Sequence, residues 1–179
     1  MLLSICIPNY NRSKYLKNCL NSILLAKSFS SLKFEICISD NGSKENILSI
    51  VSYYKKKGLV INYKRNSKNL GFGANFYKVV KMAKGEFIWL LGNDDLLYTY
   101  TLKKLEKLFY KNKDVDFYFI NSSSLNSKFV FKHKQPFNTK KIPKNLHTFS
   151  KFKKSKKTKF FNLINPYVSW DFMLAMFLT

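Results

Sequence analysis

The chain has 179 residues, of which 46% are hydrophobic and 17% aromatic; this length fits one domain, and this composition excludes a disordered protein. The formal net charge of +22 comes almost wholly from lysine, because Arg12 and Arg65 are the two arginines of the sequence. Since specific nucleic-acid readers rely on the arginine fork, the charge favours adhesion to another anionic partner, such as a membrane leaflet or a phosphorylated substrate, over binding of nucleic acid.

The cysteines and the hydropathy pattern bear on location. Cys6, Cys19 and Cys37 lack metal-ligand spacing and fall in predicted strands or helices, which is typical of buried free thiols. No run of eighteen apolar residues predicts a membrane-spanning helix. The first eight residues lack the basic start and the cleavage site of a signal peptide. We therefore expect a cytoplasmic protein, with peripheral contact at the inner face of the membrane.

Residues 1–121 alternate strand-like and helix-like segments. In chain order the predicted elements are a strand at 2–7, a helix after the N-cap Ser13, a strand at 34–39, a helix through 47–54 closed by Gly58, a strand at 60–63, a helix through 76–83, a strand at 87–91, a helix through 102–109 and a strand at 117–120. This order predicts an α/β fold with a mostly parallel sheet flanked by helices, a Rossmann-like nucleotide-binding core. In such sheets ligands bind beyond the carboxyl ends of the strands.

Residues 122–179 have a different composition. The stretch Lys128–Lys159 contains twelve lysines and two histidines, and Pro136 and Pro143 interrupt its periodicity. An apolar segment follows at 160–178. We interpret this part as a basic, partly mobile insertion and a second, apolar segment, separate from the core at 1–121.

Three carboxylates follow predicted strands directly. Asp40 ends the second strand, and Asp94 and Asp95 follow the strand at 87–91. Alone, each could be an ordinary turn or N-cap aspartate. Together at the ligand-binding edge, adjacent carboxylates suit a divalent cation that bridges diphosphate oxygens, and the cation removes their mutual repulsion. Asp94 and Asp95 are therefore the candidate metal ligands.

The loop after the first strand adds groups suited to a nucleotide. Pro8 ends the strand, Tyr10 offers a ring face to a base, and Arg12 offers a cation to phosphate. The carboxylate of Asp40 could accept the imide N–H of a uracil. The alternative for Tyr10 is packing against the edge of the sheet.

Four motifs carry a family resemblance. They are Ser4–Asn11 (SICIPNYN), Ser39–Ser43 (SDNGS), Asn69–Asn75 (NLGFGAN) and Gly92–Asp95 (GNDD). In order and spacing they resemble the family 2 glycosyltransferases, whose fold is named GT-A. The resemblance implies inverting transfer from a nucleoside-diphosphate sugar, with a lean to UDP, helped by Mg²⁺ or Mn²⁺. It also implies a cell-surface glycan or a lipid-linked molecule as the acceptor.

The resemblance also assigns roles to residues. By position, Pro8, Tyr10 and Asp40 would hold the base, Gly71 and Asn75 would lie against the donor, and Asp94 would be the metal-binding second aspartate of the family's Asp-x-Asp motif. The first aspartate of that motif is replaced by Gly92, so its contacts would pass to Asn93 or Asp95. The predicted nucleotide-sugar-binding residues are Pro8, Asn9, Tyr10, Arg12, Asp40, Gly71, Asn75 and Asn93.

The general base is the missing part of the pattern. The family supplies an Asp or Glu from its acceptor-binding half, and Asp171 is the only carboxylate after Asp116 in this sequence. Asp171 is therefore the candidate base, and its alternative is a helix-start aspartate. Because the segments that complete the acceptor half are missing, either the chain is truncated or its acceptor half is supplied otherwise, and we expect this chain alone to transfer sugar poorly or not at all.

Three other functions remain in competition with active transfer. A dinucleotide-dependent oxidoreductase would use the glycines of Gly71–Gly73, but Phe76 occupies the third glycine position of that fingerprint. A basic nucleic-acid-binding module would rest on lysines interleaved with phenylalanines in the second part. The third alternative is an inactive truncated glycosyltransferase fragment.

Overall fold

The computed structural model describes residues 2–149 of the chain. Its strands are β1 (Leu3–Asn9), β2 (Phe34–Asp40), β3 (Ile61–Arg65) and β4 (Phe87–Leu90). Its helices are α1 (Ser13–Lys27), α2 (Ile47–Lys56), α3 (Phe72–Lys81), α4 (Thr101–Lys111) and the short α5 (Ser127–Phe131), followed by a 3₁₀ turn at Thr139–Lys141. All strand pairs are parallel, and the order in the sheet is β3-β2-β1-β4. The predicted α/β fold with helices around a parallel sheet is confirmed.

Side chains of β1 and β2 alternate between the two faces of the sheet, and both faces are buried. Isoleucines such as Ile5 and Ile36 lie on one face, in the large apolar core that α1, α2 and α4 cover. Cys6 and Cys37, on the other face, pack with Val79 of α3. Successive side chains of a strand point to opposite faces, so a strand buried on both faces is apolar throughout. The described cysteines are all free and buried, as predicted.

The strand register brings three loops to one edge of the sheet. Asn9 pairs with Asp40, and Asp40 pairs with Arg65, so β1, β2 and β3 end level with one another. Leu90 pairs with Cys6, so the residues after β4 run beside the last residues of β1. The motifs at the carboxyl ends therefore converge although they are distant in sequence, as the parallel-sheet rule predicts.

Two predicted local features were wrong. Helix α1 begins at Ser13, and its N-cap is Arg12 in the left-handed conformation; the Ser13 N–H donates instead to Oε2 of Glu45 at 2.6 Å. Residues 117–120 form no strand within the described chain. The Tyr118 ring packs edge-on against Phe109, with centroids 5.1 Å apart, which ties this segment to α4.

The start of the basic segment is packed against the core. The ring of Phe137 is fully buried, its N–H donates to Oδ1 of Asn18 at 2.8 Å, and its C=O accepts from Nδ2 of Asn21 at 3.0 Å. Phe131 of α5 meets the Tyr15 ring edge-on at 5.0 Å. The part of the predicted insertion that the structure describes is thus anchored to α1.

Candidate functional site

A cleft of about 540 Å³ opens at the carboxyl edge of the sheet. Its walls come from the loop after β1, the start of α3 and the residues after β4. Eight of the predicted site residues line it, namely Pro8, Asn9, Tyr10, Arg12, Gly71, Asn75, Asn93 and Asp94. Asp40 and Asp95 do not line this cleft. The structure therefore joins most of the predicted set around one volume.

The floor of the cleft is held by buried asparagine side chains. Asn75 donates through Nδ2 to the Ser39 carbonyl at 3.1 Å and accepts from Oγ of Ser39 at 2.7 Å. Asn93 donates through Nδ2 to Oδ1 of Asn9 at 2.8 Å. Because these bonds join α3 to β2 and the loop after β4 to β1, they fix the relative positions of the cleft walls.

Asn41 and Asn69 also line the cleft, although neither was predicted as a site residue. Asn41 donates through Nδ2 to Oδ1 of Asn69 at 2.7 Å and to the Gly71 carbonyl at 3.1 Å. Gly71 adopts a φ of 82°, which a side chain would oppose. This turn directs the chain into α3. Asn41 lies in the SDNGS motif and Asn69 in the NLGFGAN motif, but asparagine is so common in this sequence that neither position was distinguishable as a site residue.

Aromatic rings give the cleft an exposed apolar wall. Tyr10 is 41% exposed and Phe72 is 65% exposed, and both line the cleft. The rings of Phe72 and Phe76 lie 5.5 Å apart between centroids. An exposed ring beside a polar floor suits a ligand with a flat face, such as a nucleobase. Phe72 and Phe76 were not among the predicted binding residues.

Asp94 lies at the rim of the cleft, paired with a cation. Its Oδ2 is 2.9 Å from Nη1 of Arg12, and the two side chains are 49% and 57% exposed, respectively. Asp94 is therefore reachable from solvent, and the ion pair joins the loop after β1 to the loop after β4. Asp94 is thus a half-exposed carboxylate at the cleft whose charge is balanced by Arg12.

Asp95 has different contacts from Asp94. Its Oδ2 accepts the Gly92 N–H at 2.9 Å, which closes the turn after β4. Desolvation by surrounding protein atoms raises the pKa of Asp95; the Gly92 N–H opposes the rise, and the Asp94 charge adds to it. These contacts indicate that Asp95 shapes the turn, whereas Asp94 faces the cleft.

Gly92 fits this turn because it has no side chain. A Cβ at this position would lie 2.8 Å from Oδ2 of Asp95 and 2.9 Å from Oδ1 of Asp94. An aspartate at this position, as in the family pattern, would crowd both carboxylates and add a third negative charge. The glycine therefore accompanies a turn in which the two remaining carboxylates fold back over the backbone.

Asp40 is fully buried beneath the loops. Its Oδ1 accepts from the N–H and the hydroxyl of Ser43, and its Oδ2 accepts from the Tyr63 hydroxyl at 2.8 Å. The Arg65 Nε lies 3.6 Å from Oδ2. Burial and this hydrogen bond raise the pKa of Tyr63. Both carboxylate oxygens thus contact other protein groups. The binding of a nucleobase by Asp40 stays a prediction.

A second cavity of about 780 Å³ lies beyond the Arg12–Asp94 pair. It shares Arg12, Gly92 and Asp94 with the first cleft and adds Asp95 and Trp89. Apolar, aromatic and hydroxyl side chains from 117–125 complete its wall. The ion pair therefore lines both cavities.

Three predicted features, the general base, the metal site and the lack of a membrane-spanning helix, are not decided by the contacts described so far. Asp171, the candidate base, lies outside the described residues. Within residues 2–149, no cluster of three or more Asp, Glu, His or Cys side chains could hold a metal by itself. None of the helices described is long and apolar enough to cross a bilayer.

Comparison with known proteins gives a consistent family. The sequence model of "Glycosyl transferase family 2" matches residues 4–177. The abequosyltransferase RfbV of Salmonella typhimurium is 40% identical over 119 residues, which is 66% of this chain and 35% of that protein. TarS of Staphylococcus aureus, a poly(ribitol-phosphate) β-N-acetylglucosaminyltransferase, is 32% identical over 103 residues, 58% of this chain and 18% of that protein. The matched region is thus about a third or less of these relatives.

Solved structures confirm the GT-A fold. TarS residues 1–349, solved alone and with UDP-GlcNAc, match with a TM-score of 0.56 and 28% identity over 63% of this chain; the complex with UDP matches at 27% identity with the same TM-score and share. The match spans 32–33% of the TarS chains. A mannosyltransferase of Pyrobaculum calidifontis, 19% identical with a TM-score of 0.53, shares the fold.

Proposed function

This chain belongs to glycosyl transferase family 2, and we propose that its first 121 residues bind a nucleoside-diphosphate sugar in the cleft at the carboxyl edge of the sheet. The observation that carries the proposal is the convergence of Tyr10, Asn75 and Asp94 around one volume. Family membership favours this function over the oxidoreductase and the nucleic-acid-binding module. The rest of the chain, 122–179, would be a basic insertion and part of the acceptor side.

The nucleotide would lie across the cleft with its base beside the loop after β1. Tyr10 supplies an exposed ring, and Pro8 lines the same wall. Gly71 and Asn75 bound the opposite side, where the donor would pass the start of α3. TarS, to which the chain is similar, has been solved with UDP and UDP-GlcNAc, which supports uridine as the proposed nucleoside.

The metal-binding side chains fit a divalent cation that is held mainly by the phosphates of the nucleotide sugar. Asp94 offers one half-exposed carboxylate that lines the cleft. Mg²⁺ is commonly bound through one or two carboxylates with substrate phosphates and waters, so a complete protein cage is not required. We propose Asp94 as the main ligand of Mg²⁺ or Mn²⁺, with Asp95 adjacent. Such an ion would neutralise charge on the leaving diphosphate.

The transfer itself is proposed as a single inverting displacement. The acceptor hydroxyl oxygen would bond to the anomeric carbon while the bond to the diphosphate oxygen breaks, and the hydroxyl proton would pass to a base. Asp171 is the proposed base, and the acceptor would be a glycan or a lipid-linked molecule. The second cavity, which adjoins Asp94, is where an acceptor would approach.

The basic surface supports a proposal about location. Lys128–Lys159 carries twelve lysines, and lysines near an anionic leaflet are attracted to it until salt screens them. We propose a cytoplasmic protein with weak peripheral contact at the inner membrane face. Such contact would place the cleft near a lipid-linked acceptor.

A thermal-shift panel tests the nucleotide-binding function. We expect UDP with Mn²⁺ to raise the melting temperature by about 5–10 °C at a hundredfold excess over Kd. GDP and CDP with Mn²⁺ identify the base preference, and NAD and a mixed oligonucleotide serve as controls. A shift with NAD or the oligonucleotide, and none with any nucleoside diphosphate, would contradict the proposed function.

A further inference from the structure

The ion pair between Arg12 and Asp94 occupies the junction of the two cavities. Both residues line both volumes, and Nη1 and Oδ2 are 2.9 Å apart. Asp94 is the carboxylate proposed above as the metal ligand, so the guanidinium stands where a metal would approach. Within residues 2–149, Asp94 makes no other ion pair.

The backbone that presents Arg12 has an unusual conformation. Asn11 and Arg12 both have left-handed backbones, with φ of 53° and 57°. Such conformations are unfavourable for residues with side chains and persist where surrounding contacts hold them. The Asn11 N–H donates to Oγ of Ser43 at 2.7 Å, and Asn11 Oδ1 accepts the Lys44 N–H at 3.0 Å. The loop after β2 therefore holds Arg12 at the rim.

We propose that Arg12 is an exchangeable counter-cation of Asp94, which leaves the carboxylate when the metal and the diphosphate bind and then pairs with the diphosphate. This inference rests on the proposed function and names a charge exchange within that site. In the ligand-free protein Arg12 neutralises Asp94. In the complex the metal takes over that role, and the guanidinium faces phosphate oxygens across the same rim.

The exchange is physically accessible because the pair is half exposed. An ion pair in contact with water is weak and its side chains reorient readily. The guanidinium fork matches two phosphate oxygens better than one carboxylate oxygen. Oδ2 of Asp95 already accepts the Gly92 N–H at 2.9 Å, whereas within the described chain neither oxygen of Asp94 is committed to the turn in this way. Arg12 thus links metal binding to nucleotide binding.

The arrangement has a thermodynamic consequence. Metal alone must separate Arg12 from Asp94, and nucleotide alone must attract Arg12 while Asp94 stays unneutralised. When both bind, each relieves the cost of the other, so their binding is cooperative in both directions. Removal of the guanidinium should therefore strengthen binding of metal alone and weaken binding of nucleotide.

The test measures Mn²⁺ binding by electron paramagnetic resonance and UDP binding by calorimetry for wild type, Arg12→Gln and Arg12→Lys. We expect Arg12→Gln to bind Mn²⁺ alone about fivefold more tightly, the equivalent of one exposed ion pair. With saturating Mn²⁺, the same variant should bind UDP about tenfold more weakly, as expected for a lost charged hydrogen bond. Arg12→Lys should be intermediate in both.

Lys17→Gln is the matched control. It removes one positive charge from an exposed position of the same helix α1, and both affinities should stay at wild-type values. Unchanged or weaker Mn²⁺ binding in Arg12→Gln, with UDP still bound by the wild type, would overturn the exchange alone. Absence of UDP binding by the wild type with Mn²⁺ would overturn the proposed function and the exchange together.

Discussion

Asp40→Ala is expected to lower the free energy of unfolding by about 3 kcal/mol, because it removes the common acceptor of several buried groups. The change would leave the hydroxyls of Ser43 and Tyr63 without their partner and Arg65 without its counterion. Urea denaturation followed by circular dichroism measures the loss. Since these contacts join β2 to β3, the whole urea unfolding transition should shift to lower urea concentration.

Two further variants separate charge from packing at this position. Asp40→Asn keeps an acceptor oxygen for Ser43 but loses the hydrogen bond accepted from Tyr63 and the attraction to Arg65, so its loss of stability should be smaller than that of Asp40→Ala. Asp116→Ala changes an exposed aspartate and should stay within about 0.5 kcal/mol of wild type. An unchanged urea midpoint in Asp40→Ala would show that the buried contacts contribute little. If folded Asp40→Asn binds UDP at least tenfold more weakly, the predicted contact with the base gains support.

Asp94→Ala is expected to weaken Mn²⁺-dependent binding of nucleoside diphosphate at least tenfold, or about 1.4 kcal/mol. The substitution removes the one carboxylate that lines the cleft among residues 2–149, while Asp95 remains engaged with Gly92. Its effect on the free energy of unfolding should be small, because Asp94 is half exposed. Calorimetry with UDP and Mn²⁺ measures the change in affinity.

The matched control for Asp94 is Asp116→Ala, which removes the same charge away from the cleft. Equal UDP affinities for wild type, Asp94→Ala and Asp116→Ala would contradict the assignment of the metal to Asp94. A tenfold loss in both variants would indicate a general effect of charge instead. Selective loss in Asp94→Ala is the expected outcome.

The sequence predicted the fold because the signals for it are local. Apolar strands such as the one ending at Asn9 and helices with a 3.6-residue period can be recognised without knowledge of their partners. The parallel sheet then follows from their alternation, and the convergence of Tyr10, Asn75 and Asp94 follows from the rule for carboxyl edges. The strand at 117–120 was wrong because its aromatic residues suit either a ladder or ring packing.

The contacts within the site could not be predicted, because they depend on pairs distant in sequence. Nothing near Asp40 in the sequence indicates that Tyr63 and Arg65 surround its carboxylate. Likewise, 82 residues separate Arg12 from Asp94, and only the register of β1 and β4 brings them together. Ser13 was predicted as an N-cap, but it is the first residue of α1, and the N-cap is Arg12, whose backbone is left-handed.

The decisive test of the proposed nucleotide site is whether nucleotide binding depends on a divalent metal. The measurement is a calorimetric titration of the 179-residue protein with the nucleoside diphosphate that gives the largest thermal shift, expected to be UDP, in MnCl₂ and in EDTA. We expect clear binding with Mn²⁺ and affinity at least tenfold lower in EDTA. Equal affinity in the two buffers, or no binding in either, would contradict it.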